Sequence, residues 1–309
     1  MRLKRFPLAH TFSIIARDPV TGAMGVAVQS HWFSTGSLVT WAEAGVGVIA
    51  TQSMVEVSYG PLGLDSLRAG KDAKLTLEEL LRADEGRDLR QVAVGDSKGG
   101  VATHTGKRCI AKAGHITGDG FSVQANMMMN DTVWPAMAEA YRSSQGTLED
   151  RLLLVLEAAQ NAGGDIRGQQ SAAMLVVEGK STGKSWEGIR VDLRVEDHPT
   201  PIDELKRLLN IQKAYRLMNT GDDLLGKGQV AEALEAYRNA RIMLPGQIEF
   251  PFWQAVTLAD LGRVDEALSI FADIFNTNPN WAELLRRLPA AGLIKNDPEI
   301  LDQILGLCK

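Results

Sequence analysis

One spacing constrains the last third of this chain more tightly than any other feature. Gly228-x4-Ala233-x3-Tyr237-x2-Ala240-x4-Pro245 returns as Gly262-x4-Ala267-x3-Phe271-x2-Ile274-x4-Pro279, every matched pair 34 residues apart. A repeat of that length is one helix pair, which cannot bury its apolar face alone and must stack on its neighbours. The small residues let paired helices approach, the aromatic fills the groove between them, and the proline ends the second helix. With flanking helical stretches at Pro201–Thr220 and Trp281–Leu307, residues 201–309 read as a short all-helical array.

Residues 1–200 follow a different pattern. Thr11–Asp18 and Ala23–Ser30 are alternating strands joined by Pro19-Val20-Thr21-Gly22, which predicts a hairpin. Ala44–Gln52 reads as a short strand of small residues, followed by one helical stretch over Pro61–Ala83. Gln91–Asp96 and Gly100–Thr105 form a second hairpin around Ser97-Lys98-Gly99, and Phe121–Asn126 adds a strand. Two helices follow, from about Asp131 to Ser143 and from Leu148 to Asn161, the second with Leu152, Leu153, Leu156 and Ala159 along one side. Strands Ala172–Val177 and Arg190–Arg194 close the region. The regular β-α-β alternation of a doubly wound parallel sheet is missing. The order fits an α+β protein of antiparallel hairpins, with two sheets packed between helix layers.

Composition removes several classes of function. A chain of 309 residues supports one large or two ordinary domains. Its 45% hydrophobic and 23% charged residues are those of a soluble globular protein. A net charge of −5 gives no electrostatic reason to bind nucleic acid or an anionic membrane. No apolar run approaches a membrane span. Met1-Arg2-Leu3-Lys4-Arg5-Phe6-Pro7 starts like a signal peptide but lacks the apolar stretch of roughly 7–15 residues, so the cytoplasm is the expected location. Cys109 and Cys308 suggest neither a disulfide framework nor a zinc site. Lys107-Arg108 could lower the pKa of Cys109, an inert thiol being the simpler reading. No metal or cofactor is expected, since no His/Cys/Asp grouping has metal spacing and no phosphate-cradling loop follows a strand.

The candidate chemistry centres on Thr11. A hydroxyl is a poor nucleophile without a base, and the α-amine of an N-terminal threonine, with a reference pKa of ~7.7–8.0, can serve. That amine exists only after cleavage between His10 and Thr11; an uncut chain would need His10 or His31 as base. The plainer reading is a β-branched residue opening a strand. Ser30 and His31 end the second strand beside the start of the first, where either could orient a nucleophile or base. Gln52 lies at the polar end of the third strand. Asn126 either donates to a developing oxyanion or caps the turn that follows. In Gly163-Gly164-Asp165-Ile166-Arg167-Gly168-Gln169-Gln170, Asp165 and Arg167 fix one another or hold a substrate carboxylate. Thr11, Ser30, His31 and Asn126 are thus the catalytic candidates, and Gln52, Asp165, Arg167 and Gln170 the substrate-binding ones. Asp192 and Arg194 share a strand face, the simplest reading being a structural ion pair.

The segments HTFSIIARDPVTGAMGVAVQSHWFS, WAEAGVGVIATQS, SYGPLGLDSLRAG, GFSVQANMMMNDTVWPAMA, GGDIRGQQSAAMLVV and VDLRVEDHPTPIDELKRLL resemble, in this order, the Ntn-hydrolase-like bacterial proteins grouped as domain of unknown function 1028. The helical tail resembles tetratricopeptide repeats. The resemblance implies a four-layer αββα sandwich with Thr11 at the nucleophile position and Ser30 at a supporting position on the second strand. No lysine matches on the third strand, Val46–Gln52. The implied function is hydrolysis of a C–N bond (amide, lactam or ureide, other than a peptide bond) in a small molecule. The alternative is a catalytically silent ligand-binding or scaffold protein whose repeats take protein partners or mediate self-association. A homo-oligomer, at least a dimer, is expected.

Overall fold

The computed structural model describes residues 8, 9 and 11–307; His10 and Cys308, both weighed above, lie outside the described residues. The chain forms two compact units that divide between Leu209 and Asn210. The division falls inside a helix, beyond the change in sequence pattern at Pro201.

The elements of the first unit run β1 (Leu8–Ala9), β2 (Thr11–Arg17), β3 (Met24–Ser30), α1 (Gly36–Val39), β4 (Thr40–Glu43), β5 (Gly47–Met54), α2 (Tyr59–Arg68) and α3 (Ala73–Ala83). They continue with β6 (Arg90–Asp96), β7 (Val101–Thr105), β8 (Gly114–Gly118), β9 (Phe121–Ala125), α4 (Val133–Ser143), α5 (Leu148–Asn161), β10 (Ser171–Val177) and β11 (Ile189–Val195). One sheet has the order β11-β10-β3-β2-β9-β8; the other has β1-β5-β6-β7, with β4 also paired to β5. Every strand pairing is antiparallel.

The pleat sorts each strand between two layers. On β2, Phe12, Ile14 and Ala16 join Met137, Leu152 and Leu156 of α4 and α5 in one core, while Ile15 faces the other sheet. Between the sheets lie Ile15, Val26, Val28, Val48, Ala50 and Ala93. On the far face of the second sheet, Ile49, Val92 and Val94 meet Leu64, Leu67, Leu77 and Leu80 of α2 and α3. The result is the four-layer αββα sandwich expected. Each buried aliphatic side chain contributes about 1.5–3 kcal/mol through the area it removes from water.

Local chemistry explains where the sequence reading and the fold differ. The single helix expected over Pro61–Ala83 is two, because Gly70 at φ 90° ends α2 and the Asp72 carboxylate caps α3 by accepting from Leu75 N at 2.8 Å. Ala44, Gly45 and Val46, read as strand, form the turn between β4 and β5. β8 was not expected: it lies at the sheet edge, exposed on alternate residues, and Gly at both ends reads as loop.

The second unit contains the end of α6 (Pro201–Gly226), then α7 (Val230–Met243), α8 (Glu249–Asp260), α9 (Val264–Thr277), α10 (Asn280–Arg287) and α11 (Pro298–Leu305). Ala233, Tyr237 and Ala240 are buried, as are their repeat counterparts Ala267, Phe271 and Ile274. Tyr237 fills the groove over Gly221 so closely that a Cβ there would lie 2.3 Å from its ring. Trp281–Leu307 is not one helix; Pro289 lies in a short 3-10 turn, and Asp297 with Pro298 restarts the chain as α11.

Candidate active site

The layer between the sheets changes character along its length. Beyond Ile15 and toward the start of β2, its side chains become hydroxyls and amides. Thr11 pairs in register with Ser30, and Ser30 with Ser171, so three fully buried hydroxyl residues stand in a row across β2, β3 and β10. Ser171 Oγ donates to Trp32 O at 2.5 Å and accepts from Thr35 N at 3.1 Å, which ties the segment after β3 back onto β10.

Beneath this row runs a continuous network. Thr103 Oγ1 donates to Ser122 Oγ (2.7 Å), Ser122 Oγ to Gln124 Oε1 (2.9 Å), Gln124 Nε2 to Ser13 Oγ (2.6 Å) and Ser13 Oγ to Gln52 Oε1 (2.6 Å). Gln52 Nε2 donates to Gln91 Oε1 at 2.7 Å and to the Thr11 carbonyl at 3.2 Å. Asn126 donates to that carbonyl through its backbone N–H at 3.1 Å and through Nδ2 at 3.4 Å. The residues following Gln52 and Asn126 are both non-glycines in the left-handed region, Ser53 at φ 74° and Met127 at φ 59°. Such backbone costs about 1–3 kcal/mol and collects at functional sites.

At the mouth of this end, a loop is stitched to β3. Gln170 N donates to Ser30 O at 3.1 Å, and His31 N to Asp165 Oδ2 at 3.4 Å. The Asp165 carboxylate is completely buried and accepts from Arg167 Nε (3.0 Å), Nη2 (2.6 Å) and backbone N (2.9 Å). Asp165 and Arg167 therefore fix each other, one of the two roles their spacing suggested. The His31 ring lies beside Gly168, its Nδ1 buried without a hydrogen-bond partner among the described residues. The Gln170 amide turns outward to Asp197 Oδ1 at 3.2 Å.

Seven of the eight candidate residues thus lie at one end of the first sheet, and Gln52 reaches them from β5 of the second. A cavity of about 670 Å³ lies elsewhere, against α2 and α3, and none of the eight lines it. Of the two readings of Cys109 the structure agrees with the inert thiol: burial pushes its pKa up, and its Sγ donates to Arg90 O at 3.4 Å. Lys107 instead pairs with Asp88. At the rim of the network, Thr105 Oγ1 and His115 Nδ1 are 2.8 Å apart; desolvation, and then the charge of His104, pull the His115 pKa down. Asp192 and Arg194 form the expected ion pair at 3.2 Å.

The model of the family of unknown function DUF1028 matches residues 11–205. The chain belongs to the DUF1028 family. A tetratricopeptide repeat model matches residues 224–288. Protein SPO2555 from Silicibacter pomeroyi, whose crystal structure is titled as a DUF1028 protein, is 35% identical, covering 66% of this chain and 85% of its own with a TM-score of 0.59. No curated protein matches. Among the described residues, no helix is long and apolar enough to cross a membrane, and no group of His, Cys, Asp and Glu could hold a metal ion.

Sequence reading missed Ser13, Gln91, Gln124 and Ser171 as parts of this candidate site. A signal was present. Gln91 and Ser171 sit at inward positions beside the apolar Ala93 and Ala173, and Ser13 sits two residues before Ile15; Gln124 shares its face with Ser122.

Proposed function

We propose that this protein is an N-terminal-nucleophile amidohydrolase that cleaves a C–N bond of a small molecule with Thr11. The observation carrying this reading is the setting of Thr11: the first residue of β2, on the inner face of the sandwich, opposite Ser30 and held at its carbonyl by donors from both sheets. The family match also begins at Thr11. β1 ends at Ala9 in one sheet and β2 begins at Thr11 in the other, so the chain changes sheets just before the nucleophile.

Hydrolysis of the His10–Thr11 bond would leave a carboxylate on His10 and an α-amine on Thr11. The amine then takes the hydroxyl proton as Oγ attacks the substrate carbonyl, and passes it to the departing nitrogen. Water cleaves the resulting ester and restores Thr11. Thr11 is completely buried in the uncut chain, and cleavage before it would supply the base. Asp165 and Arg167 act as a rigid wall, because their charges already satisfy each other.

Intact-mass measurement of the purified protein, followed by incubation with a β-lactone, tests the reading. A chain beginning at Thr11 that gains one covalent label there supports it. An uncut, unlabelled chain overturns it, as does a Thr11→Ala variant that keeps full activity. For the helical unit, the tetratricopeptide match supports a protein partner or self-association; a monomer mass in solution would remove self-association.

A further inference from the structure

Gln91, on the inner face of β6, is fully buried and uses both ends of its amide. Its Oε1 accepts from Gln52 Nε2 at 2.7 Å and from Asn126 Nδ2 at 2.9 Å. Its Nε2 donates to Ala125 O (2.9 Å), Thr105 Oγ1 (2.9 Å) and Gly114 O (3.2 Å). Two of those three acceptors are backbone carbonyls, which cannot become donors. Turning the Gln91 amide over would set its oxygen against both of them. The direction of this one side chain is therefore fixed by the backbone.

That direction propagates. Because Gln91 presents oxygen, Gln52 and Asn126 must each present an N–H to it. The same two nitrogens are the ones directed at the Thr11 carbonyl, at 3.2 and 3.4 Å, beside the Asn126 backbone N–H at 3.1 Å. Gln52 is opposed to reversal at a second carbonyl as well, since its Nε2 also donates to Gln124 O at 3.4 Å, while its Oε1 accepts from Ser13 Oγ. A pair of reversed amides would set oxygens against the Thr11 carbonyl oxygen, an arrangement that costs the desolvation of every group left unpaired.

We propose that Gln91 is a positioning residue for Thr11. By fixing the direction of the Gln52 and Asn126 amides it holds N–H donors on the Thr11 carbonyl, and so locks the peptide plane leaving Thr11. With that plane fixed, only rotation about the Cα–C and Cα–Cβ bonds remains to place the α-nitrogen and the hydroxyl, which narrows where they point. The consequence for reactivity rests on the reading of Thr11 as nucleophile; the clamp on the carbonyl does not.

The sequence offers a direct view of the clamp. Thr11-Phe12 is the only Thr-Phe pair in the chain, so protein labelled with carbonyl-¹³C threonine and ¹⁵N phenylalanine gives a single HNCO cross-peak, that of the Thr11 carbonyl. Gln91→Met, similar in length but without an amide, is expected to move that carbonyl resonance upfield. Gln91→Glu, kept protonated by burial among carbonyls, retains an oxygen for Gln52 and Asn126 and an O–H for Ala125 O, and is expected to leave it near the parent. Should Gln91→Met fail to fold, Gln52→Met removes a single donor and gives a smaller upfield shift. The second readout is the rate at which a β-lactone labels Thr11, expected to fall by about 10–100-fold in Gln91→Met and far less in Gln91→Glu. A resonance unmoved in a folded Gln91→Met or Gln52→Met protein overturns the clamp. A moved resonance with an unchanged labelling rate overturns the positioning role. A parent protein that takes no label overturns the nucleophile reading and the positioning role with it, while the resonance still decides the clamp.

Discussion

The two ends of the layer between the sheets are built from the same strands with opposite chemistry. At one end Ile15, Val26, Val48 and Ala93 interlock without a polar atom among their side chains. At the other, Ser13, Gln52, Gln91 and Gln124 occupy equivalent inward positions and are equally buried. Stability alone does not require the second arrangement. A buried neutral hydrogen bond nets only about 0.5–1.5 kcal/mol, and an apolar pair of the same shape can do as well. What amides add is direction: each donor and acceptor is assigned, and the assignment ends on the Thr11 carbonyl. The apolar end holds the sandwich together, and the polar end orients one residue.

The widest separation of the two ends comes from paired substitutions. Thr11→Ala is expected to lower hydrolysis by on the order of 10⁴-fold or more while leaving the melting temperature nearly unchanged. Covalent labelling alongside a thermal melt checks both halves. Ile15→Ala, two turns of the pleat away, should do the reverse. It opens a cavity in the apolar end at a cost of about 3–4 kcal/mol, read by urea titration, with the Thr11 labelling rate preserved. If Ile15→Ala slows labelling as much as it lowers stability, the two ends are one unit and the comparison fails.

How much of this was legible in the sequence follows the range of the interactions. The 34-residue spacing of Tyr237 and Phe271 was readable because each repeat packs mainly on its neighbours, so the period carries the contact information. The β2–β3 hairpin was readable for the same reason, and it carries Thr11 to Ser30 by register alone. Gln91 was not. Its partners Asn126 and Ala125 lie more than 30 residues away on the other sheet, and nothing local says how two sheets stack. For Cys109 the cations beside it in sequence left a lowered pKa open, whereas its neighbours in space are Ser53 and the Arg90 carbonyl, in line with the inert thiol that was the simpler reading. Gly70 split a helix that apolar spacing made look continuous.

A finer contrast sits on two adjacent residues of β6. Gln91 faces the layer between the sheets and belongs to a neutral network. Arg90 belongs to an ionic one: its Nε donates to Asp84 Oδ2 at 2.8 Å, its Nη1 to Met54 O at 2.6 Å, and Glu56 lies 3.6 Å away. Tyr59 adds its hydroxyl to the same Asp84 oxygen at 3.0 Å. Burial works to raise the Asp84 pKa, yet the hydrogen bonds from Arg90, Gly86 N–H and Tyr59 outweigh it and the value lies below the usual carboxylate range. A depressed folded-state pKa means stability that is present above about pH 4 and lost as the pH falls through the folded value. Asp84→Asn should therefore cost about 2 kcal/mol at neutral pH, toward the low side for breaking a buried pair because Glu56 and Met54 O remain to Arg90. Its melting temperature should also change less than the parent's between pH 5 and pH 3. A parent and variant whose melting curves run parallel over that interval would remove Asp84 as the acid-sensitive element.

The smallest effect completes the series, because it takes the same chemistry out of the protein interior. Arg194 and Asp192 are 3.2 Å apart on β11, a separation close to that of Arg90 and Asp84, but both side chains are about two-fifths exposed. Water screens the attraction and already solvates each charge, while holding the pair in one geometry costs side-chain entropy. Arg194→Ala is expected to change the unfolding free energy by less than about 0.5 kcal/mol. Raising the salt concentration should erase even that difference. A cost of 2 kcal/mol here would mean that distance, not burial, governs the ionic contacts of this sandwich, and Asp84 could then no longer be set apart by its place under α2 and α3.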